Sequence, residues 1–189
     1  MKTVNIYTDG ACSGNQNEKN KGGWGCVLEY NGREKELSGG EADTTNNRME
    51  LTALIEGLSA LKEKGLALRI FSDSSYLVNC FKNRWYVNWQ RNGWKTASKA
   101  PVENQDLWMK LIDLLDGQHP SFFLVKGHLP KDPDDARVEK EFRRFTDHNG
   151  PFDLDEFRTV CAYNRRCDEL ATKAAASLEE PGEGSKSGA

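Results

Sequence analysis

The stretch that decides the fold is Lys2-Thr3-Val4-Asn5-Ile6-Tyr7-Thr8-Asp9-Gly10, at the start of the chain. It alternates around Val4, Ile6 and Thr8, and alternation with a period of two is typical of a β-strand. The strand ends in Asp9. An aspartate in a turn after a strand is the simpler interpretation, but the end of a central strand would be enclosed, which makes Asp9 a candidate functional residue.

Two further strands follow from the next segment. Trp24–Tyr30 has a strand pattern, and Asn31-Gly32 is a strong two-residue hairpin turn, so Arg33–Gly39 should return antiparallel to it. We expect Gly10–Gly23, which is rich in glycine and asparagine, to form a loop. The chain should therefore begin with a three-stranded meander.

The rest of the chain alternates between helices and strands. Apolar spacing predicts helices over 47–64, 74–81, 104–115, 134–145, 153–161 and 164–178, and strands over 68–71 and 121–126. The helix over 153–161 could also continue into the last one. This order predicts an α/β fold with a mixed sheet and helices packed on it, in a single domain over 1–178. The Glu-, Gly- and Ser-rich tail 179–189 is predicted to be disordered.

Composition excludes several classes of protein. Hydrophobic residues make up 37% of the chain, and no stretch approaches the about 18 apolar residues of a membrane span. The N-terminus lacks a signal-peptide pattern, which predicts a cytoplasmic protein. The five cysteines are widely spread with no C-x-x-C pair, so free thiols are expected rather than disulfides or a zinc site.

Charge is unevenly distributed. The net charge is −3, yet residues 82–104 hold five basic residues and one acid, while the remainder holds 21 basic and 28 acidic residues. The same segment contains Trp85, Trp89 and Trp94. A local cationic and aromatic patch of this kind is typical of nucleic-acid binding, although three tryptophans could equally form a local core. We expect both uses.

Three further acids join Asp9 as candidates, and each has a structural explanation. Glu50 would be at position N3 of its helix, in a capping box, if Asn47 were the N-cap. Asp73 could stabilise a helix N-terminus, and Asp168 could lie on a solvated helix face. Their joint placement favours another interpretation: four carboxylates meeting at the ends of parallel strands would repel one another unless divalent cations lay between them.

These segments, in this order, closely resemble bacterial type 1 ribonuclease H. The matching stretches are Ile6–Cys12, Thr44–Leu51, Ser72–Ser74, Trp89–Pro101, Leu107-Trp108, Val125–His128 and Cys167–Ala171. The resemblance implies a five-stranded mixed sheet with helices on both faces. It also implies Mg²⁺-dependent hydrolysis of the RNA strand of RNA–DNA hybrids, leaving 3′-hydroxyl and 5′-phosphate ends.

The resemblance also assigns roles to residues. Two Mg²⁺ ions, or Mn²⁺, would be held by Asp9, Glu50, Asp73 and Asp168, with Asp9 bridging them. His128 would assist proton transfer or product release. Contacts with the hybrid would come from three asparagines, an arginine and the tryptophan segment: Asn15, Asn46, Asn47, Arg48, Trp85, Trp89, Trp94 and Lys95. A monomer is expected.

The chain departs from the family pattern in two ways. Gln90 and Asn92 stand where the family usually has basic residues, which predicts a shallower salt dependence of binding. His128 and Asp168 are forty residues apart, where the family usually needs about ten, so a mostly helical insertion is predicted over about 129–163. We hypothesise a flap over the active-site rim, and the alternative is an inert surface insertion.

Two other functions stay open at this point. One is a hybrid-binding module of the same fold without catalysis, which the loss of any of the four acids would indicate. The other is a related nuclease or strand-transfer enzyme with a different substrate, because fold alone does not fix function. All four acids are present, and the asparagine–arginine set beside Glu50 favours the hybrid.

Overall fold

A mixed five-stranded sheet is at the centre of the computed structural model, which describes residues 1–13, 20–126 and 129–178. Its strands are β1 (Thr3–Ser13), β2 (Lys21–Tyr30), β3 (Arg33–Glu41), β4 (Ala67–Ser72) and β5 (His119–Leu124). The sheet order is β3-β2-β1-β4-β5. β1, β2 and β3 are antiparallel neighbours, whereas β4 is parallel to both β1 and β5. The predicted meander and mixed sheet are confirmed.

Helices cover both faces of this sheet, as expected. They are α1 (Asn46–Ser59), α2 (Ser75–Lys82), α3 (Trp85–Arg91), α4 (Gln105–Leu115), α5 (Asp135–Asn149) and α6 (Leu154–Ala176). The first core lies on the face covered by α1, α2 and α4 and includes Ile6, Leu54 and the fully buried Trp108. The second core lies beneath α5 and α6. Within the described ranges, no helix is both long enough and apolar enough to cross a membrane.

The loop predicted over Gly10–Gly23 is too long. β1 and β2 continue to pair as far as Ser13 and Lys21. The glycines that suggested a loop instead allow helices to approach the sheet: a β-carbon added to Gly23 would collide with the carbonyl oxygen of Ala171 in α6. Glycine in a strand often marks such a close approach of another backbone.

The first helix is shorter than predicted. α1 ends at Ser59 rather than at Lys64, and Ala60 forms its C-cap. The residues that follow turn toward the α4–β5 connection, where the Gly65 amide donates to the Gly117 carbonyl at 2.8 Å. The Lys64 ammonium donates to two further carbonyls there. Tertiary hydrogen bonds thus replace the last helical turn that the sequence pattern favours.

The basic segment contains a short helix that the sequence did not predict. α3 spans Trp85–Arg91 and is followed by a turn in which Gly93 and Trp94 have φ angles of +73° and +61°. The Trp94 amide donates to the Trp89 carbonyl at 2.7 Å, and Lys95 pairs with Pro101 in an isolated bridge. The segment is therefore an ordered protrusion with its own hydrogen bonds.

The insertion forms part of the second core. α5 begins after the N-cap Asp134, and the two helices predicted over 153–161 and 164–178 are one continuous helix, α6, with Asp153 as its N-cap. Val138, Phe145 and Phe157 are at most 2% exposed and pack with Phe71 of β4. The segment therefore covers a face of the sheet rather than lying only on the surface, and its effect on catalysis, as a flap or as an inert insertion, stays a prediction.

The last residue of α5 also protects the edge of the sheet. The Asn149 side chain accepts a hydrogen bond from the Leu124 amide and donates one to the Leu124 carbonyl, each at 2.8 Å. It donates another to the Phe145 carbonyl at 2.9 Å. Asn149 therefore connects the end of the edge strand β5 to the insertion helix.

Candidate active site

Two of the predicted acids meet at the carboxyl ends of neighbouring parallel strands. Thr8 of β1 is paired with Ser72 of β4, so the next residues, Asp9 and Asp73, lie side by side. Asp9 is 2% exposed. The carboxyl ends of parallel strands are where ligand sites of open α/β sheets gather. Asp9 and Asp73 therefore lie together at the ends of two parallel strands, as the sequence predicted.

Glu50 reaches the same place from the first turns of α1. The helix starts two residues earlier than the capping-box interpretation requires, because Thr45 is the N-cap and its hydroxyl accepts from the Arg48 amide at 3.2 Å. Glu50 is therefore not at position N3, and that structural explanation for it is wrong. Its side chain is buried, at 3% exposure, and directed to the strand ends.

One carboxylate oxygen from each of Asp9, Glu50 and Asp73 lies within 4.8 Å of the others. Burial, followed by the charges of Asp73 and Asp168, raises the pKa of Asp9 to about 9. Burial, followed by Asp73 and Asp9, also raises the pKa of Glu50, and the Gly10 amide only partly offsets this. Protons thus compete with any cation for these oxygens.

Asp168 completes the group from α6. Its carboxyl lies close enough to Asp9 to raise the pKa of that residue, on the face of the sheet that carries the second core. Asp168 is only partly buried, unlike Asp9 and Glu50. The structure therefore brings together all four acids that the sequence analysis selected, with Asp9 as the one that touches the others from both sides.

Several contacts hold α6 against the sheet next to Asp168. Arg166 forms ion pairs with Glu34 and Glu36 of β3 at 2.6 and 2.5 Å. The Cys167 thiol donates to the Tyr7 carbonyl at 3.3 Å and is fully buried. Because the two residues before Asp168 are anchored to the sheet, the position of its carboxylate is fixed by the fold.

The donor set suits a divalent cation. Glu50 Oε2 is buried and has no hydrogen-bond partner among the residues that the structure describes. The side chains that act most strongly on Asp9 and Glu50 are other acids. Buried carboxylates without compensating charge are costly, and hard divalent ions with oxygen ligands are the usual solution.

Comparison with known proteins identifies the protein family that has this site. The family model described as RNase H matches residues 1–143, which is most of the chain. The chain belongs to the ribonuclease H family. It is 54% identical to a Ribonuclease H of Syntrophomonas wolfei over 178 residues, which are 94% of this chain and 99% of the relative. A Ribonuclease H of Moorella thermoacetica is 44% identical over 94% of this chain and 95% of the relative. The chain is thus an endoribonuclease.

A solved ribonuclease H structure has a similar fold. The crystal structure of LC9-RNase H1, a type 1 RNase H with the type 2 active-site motif, superposes with a TM-score of 0.69 at 27% identity. The match covers 95% of this chain and 75% of that protein. The Syntrophomonas alignment leaves at most 11 of the 189 residues unmatched, so it must include most of the insertion over 129–163. The insertion is therefore shared with at least one ribonuclease H relative.

The asparagines and the arginine predicted to contact substrate lie at the start of α1, beside Glu50. Asn46 is exposed, whereas Asn47 and Arg48 are partly buried. Arg48 forms a bidentate ion pair with Asp106 at 2.9 and 3.1 Å and a hydrogen bond with Asn104. In the ribonuclease H site, this arginine is thus held by the start of α4, a partner that the sequence did not reveal.

The tryptophan segment forms a local core, one of its two expected uses, while its contact with nucleic acid stays a prediction. Trp89 packs against the buried Trp108, with ring centroids 5.6 Å apart, and against Trp94 at 6.0 Å. Trp85 is 37% exposed, and Lys95 is also exposed. Trp85, Trp89 and Lys95 line an open cleft of about 450 Å³ together with Arg91. The ribonuclease H protrusion is therefore anchored in the core and open on its outer side.

Two predicted site residues lie outside the described residues. They are Asn15, in the segment 14–19, and the loop histidine His128. Their roles stay predictions.

Two glycines that position the ribonuclease H acids were not predicted from the sequence. A β-carbon on Gly10 would lie 2.5 Å from the Glu50 amide nitrogen, and one on Gly25 would meet the carbonyl of Cys167 and lie 2.8 Å from the Leu170 β-carbon. From the sequence, Gly10 was assigned to a loop and Gly25 to an ordinary strand. A glycine inside a strand pattern next to a candidate acid was the available signal.

Proposed function

We propose that this ribonuclease H cleaves the RNA strand of RNA–DNA hybrids as an endonuclease, leaving 3′-hydroxyl and 5′-phosphate ends. The observation that carries the proposal is the set of buried carboxylates around Asp9, at the carboxyl ends of β1 and β4. It is supported by the aromatic and basic cleft of the protrusion. A non-catalytic module of the same fold has no need to keep four acids in contact.

The four acids Asp9, Glu50, Asp73 and Asp168 are the proposed ligands of two Mg²⁺ ions, with Mn²⁺ as a substitute. When bound, a pair of such ions would lower the pKa of the attacking water and neutralise charge on the leaving oxygen. The protein contributes rigid placement: Asp9 and Asp73 are fixed by paired strands, and Glu50 and Asp168 by helices whose backbones touch the sheet. Asp9, which lies near Glu50, Asp73 and Asp168, would hold metal together with each of them.

The remaining predicted residues act on the substrate in this proposal. Asn15, Asn46, Asn47 and Arg48 would contact the hybrid beside the acids, where recognition of 2′-hydroxyls distinguishes RNA from DNA. Trp85, Trp89, Trp94 and Lys95 would hold the DNA strand. His128 would assist proton transfer or product release. We further propose a monomer in the cytoplasm, which the free cysteines support.

The decisive assay compares an RNA–DNA hybrid, duplex RNA and duplex DNA, each with and without Mg²⁺. We expect cleavage of the hybrid alone, only with Mg²⁺, and only in its RNA strand. Asp9→Asn should abolish it. Asp113→Asn, which changes an exposed acid on α4, is the matched control and should leave cleavage unchanged. Hybrid cleavage that survived Asp9→Asn would contradict the proposal.

A further inference from the structure

A second cleft lies directly beside Asp168. It has a volume of about 200 Å³ and is formed between the segment 129–131 and the face of α6 that carries Asn164, Arg165 and Asp168. The cleft therefore joins the insertion to the carboxylate cluster. None of the residues predicted from the sequence, apart from Asp168, contributes to it.

Asn164 is the unusual residue of this cleft. It lies one helical turn before Asp168, lines the same cleft, and is only 4% exposed. Within residues 1–13, 20–126 and 129–178, nothing forms a hydrogen bond with its side-chain amide. The Asn164 amide is not among the fully buried side-chain atoms without a partner, so it faces the cleft. An amide there without a protein partner is open to a polar ligand.

The charges around the cleft specify the kind of ligand. Arg165 donates to the carbonyls of Leu129 and Pro130 at 3.3 and 3.2 Å, and in the described part of the chain it forms no ion pair with a carboxylate. Lys131, on the same segment, is exposed and lines the cleft. Two cations and an amide donor are suited to an anion with several oxygens, such as a phosphate diester.

Asp168 restricts when such an anion can bind. Its carboxylate would repel a phosphate in the same cleft unless a cation lay between them. A phosphate is therefore expected here only next to an occupied metal site, which is where a substrate strand would place it. A substrate strand is held at other points and brings its phosphate next to the metal site. A free anion from solution has no such additional contacts.

We propose that this cleft is a subsite for a non-scissile phosphate of the RNA strand, adjacent to the bond that is cleaved. Asn164 and Lys131 bind the phosphate oxygens, and Arg165 holds the segment 129–131 in place. The proposal rests on the proposed function, since it presupposes a hybrid in the site. It gives the insertion a role in substrate binding, because the insertion supplies Lys131 and the carbonyls that Arg165 holds.

The first test measures binding without cleavage. Equilibrium binding of a short hybrid in Mg²⁺ is followed by fluorescence anisotropy at several salt concentrations, on an Asp73→Asn background that removes cleavage. Lys131→Gln should weaken binding roughly threefold and lower the salt slope by roughly one. Lys140→Gln, an exposed lysine on α5, is the matched control. If both lysine variants have the same slope as the background, the subsite is excluded.

The second test locates the phosphate. Hybrids carry a single uncharged methylphosphonate at a 2′-deoxy position, placed in turn at each linkage near the cleavage site, with the 2′-deoxy phosphate as reference. One position should lower kcat/KM roughly tenfold for the wild-type enzyme. That penalty should largely disappear in Asn164→Ala and Lys131→Gln. An unchanged penalty in both variants would overturn the subsite, whereas absence of any hybrid cleavage by the wild type would overturn the proposed function instead.

Discussion

The backbone of Gly10 lies in direct contact with the backbone of Glu50. A β-carbon on Gly10 would be 2.5 Å from the Glu50 amide nitrogen and 2.7 Å from the carbonyl carbon of Met49. Real β-carbons do not approach backbone atoms so closely, so any side chain at Gly10 must separate β1 from α1. Because Asp9 precedes Gly10, this contact sets the distance between two of the acids.

Gly10→Ala should therefore inactivate the enzyme without removing any acid. We expect kcat/KM on a hybrid to fall at least about a hundredfold, since small displacements of reacting groups have effects of that size. Gly65→Ala is the control: its φ is +73° and nothing lies within 4 Å of the added carbon, so it introduces backbone strain alone. Equal activity of the two folded variants would show that the contact does not position Glu50.

Gly25→Ala should act on the other side of Asp9. Its β-carbon would meet the carbonyl of Cys167, the residue before Asp168, and move α6 away from β2. We expect the Mg²⁺ concentration for half-maximal activity to rise several-fold, because one ligand is displaced while Asp9, Glu50 and Asp73 keep their places. A Mg²⁺ titration of activity at saturating hybrid checks this. A lower activity with an unchanged Mg²⁺ requirement would count against it.

The stability of the metal-free protein should fall as pH rises. The pKa of Asp9 is raised to about 9 by burial and then by Asp73 and Asp168, while the unfolded value is about 3.9. Between these values the folded protein binds a proton that the unfolded chain does not, so unfolding becomes easier with increasing pH. Thermal denaturation in EDTA should give a lower Tm near about pH 8 than near about pH 6.

Mg²⁺ should oppose this loss, because a cation takes the place of the bound protons. Its stabilising effect should therefore be larger at the higher pH. Asp9→Asn removes the titrating group and should raise the Tm of the metal-free protein at the higher pH while reducing the response to Mg²⁺. If the metal-free wild type had the same Tm at both pH values, the raised pKa of Asp9 would be refuted.

The insertion should be needed for stability. Phe145 is 1% exposed in the second core, between Phe152 and Phe157. Truncation of such a residue costs about 3–5 kcal/mol, which corresponds to a Tm lower by about 10 °C. Arg143→Ala, on the exposed side of the same helix, should change Tm by no more than about 2 °C. Similar Tm values for both variants would mean that α5 is dispensable, as a flap would be.

Asp106 should limit the affinity for the hybrid. It holds Arg48 in a bidentate ion pair, with the side chains 29% and 64% exposed for Arg48 and Asp106. Such exposed pairs add at most about 1 kcal/mol, so Asp106→Asn should barely change Tm. It leaves the Arg48 charge free for phosphates, and KM for the hybrid should fall about twofold to threefold. An increased KM would instead show that Asp106 orients Arg48 for the substrate.

Much of this architecture could be predicted from local pattern. The Asn31-Gly32 turn and the alternation around Ile6 defined the meander. Asp9, Glu50 and Asp73 were found because each closes a strand or begins a helix, whereas Asp168 was assigned through the family resemblance of Cys167–Ala171. The end of α1 was not predictable, since it depends on Gly65 and Lys64 bonding to residues some fifty positions away. Long-range hydrogen bonds of this kind leave no periodic signal in the local sequence.

The four acids of the site were predicted from the sequence, but the residues that hold them in position were not. The capping box proposed for Glu50 failed because Thr45 and Asn47 are both acceptable N-caps, and only packing decides between them. The contacts of Gly10, Gly25 and Asn164 depend on which elements meet in space. The insertion was interpreted as an addition to a complete fold because its apolar residues, such as Phe145, could not be assigned to a core that the sequence did not reveal.

Asn149 has a consequence for how copies of this protein meet. The two backbone groups of Leu124 that a sixth strand would use for pairing are already taken by the Asn149 side chain. Exposed strand edges are templates on which another chain can add a strand and begin aggregation. At its active-site end, the outer edge of β5 is closed to such recruitment by a single amide, so the protein can keep this end of the sheet accessible to a long polymeric substrate without also offering it to a neighbouring polypeptide.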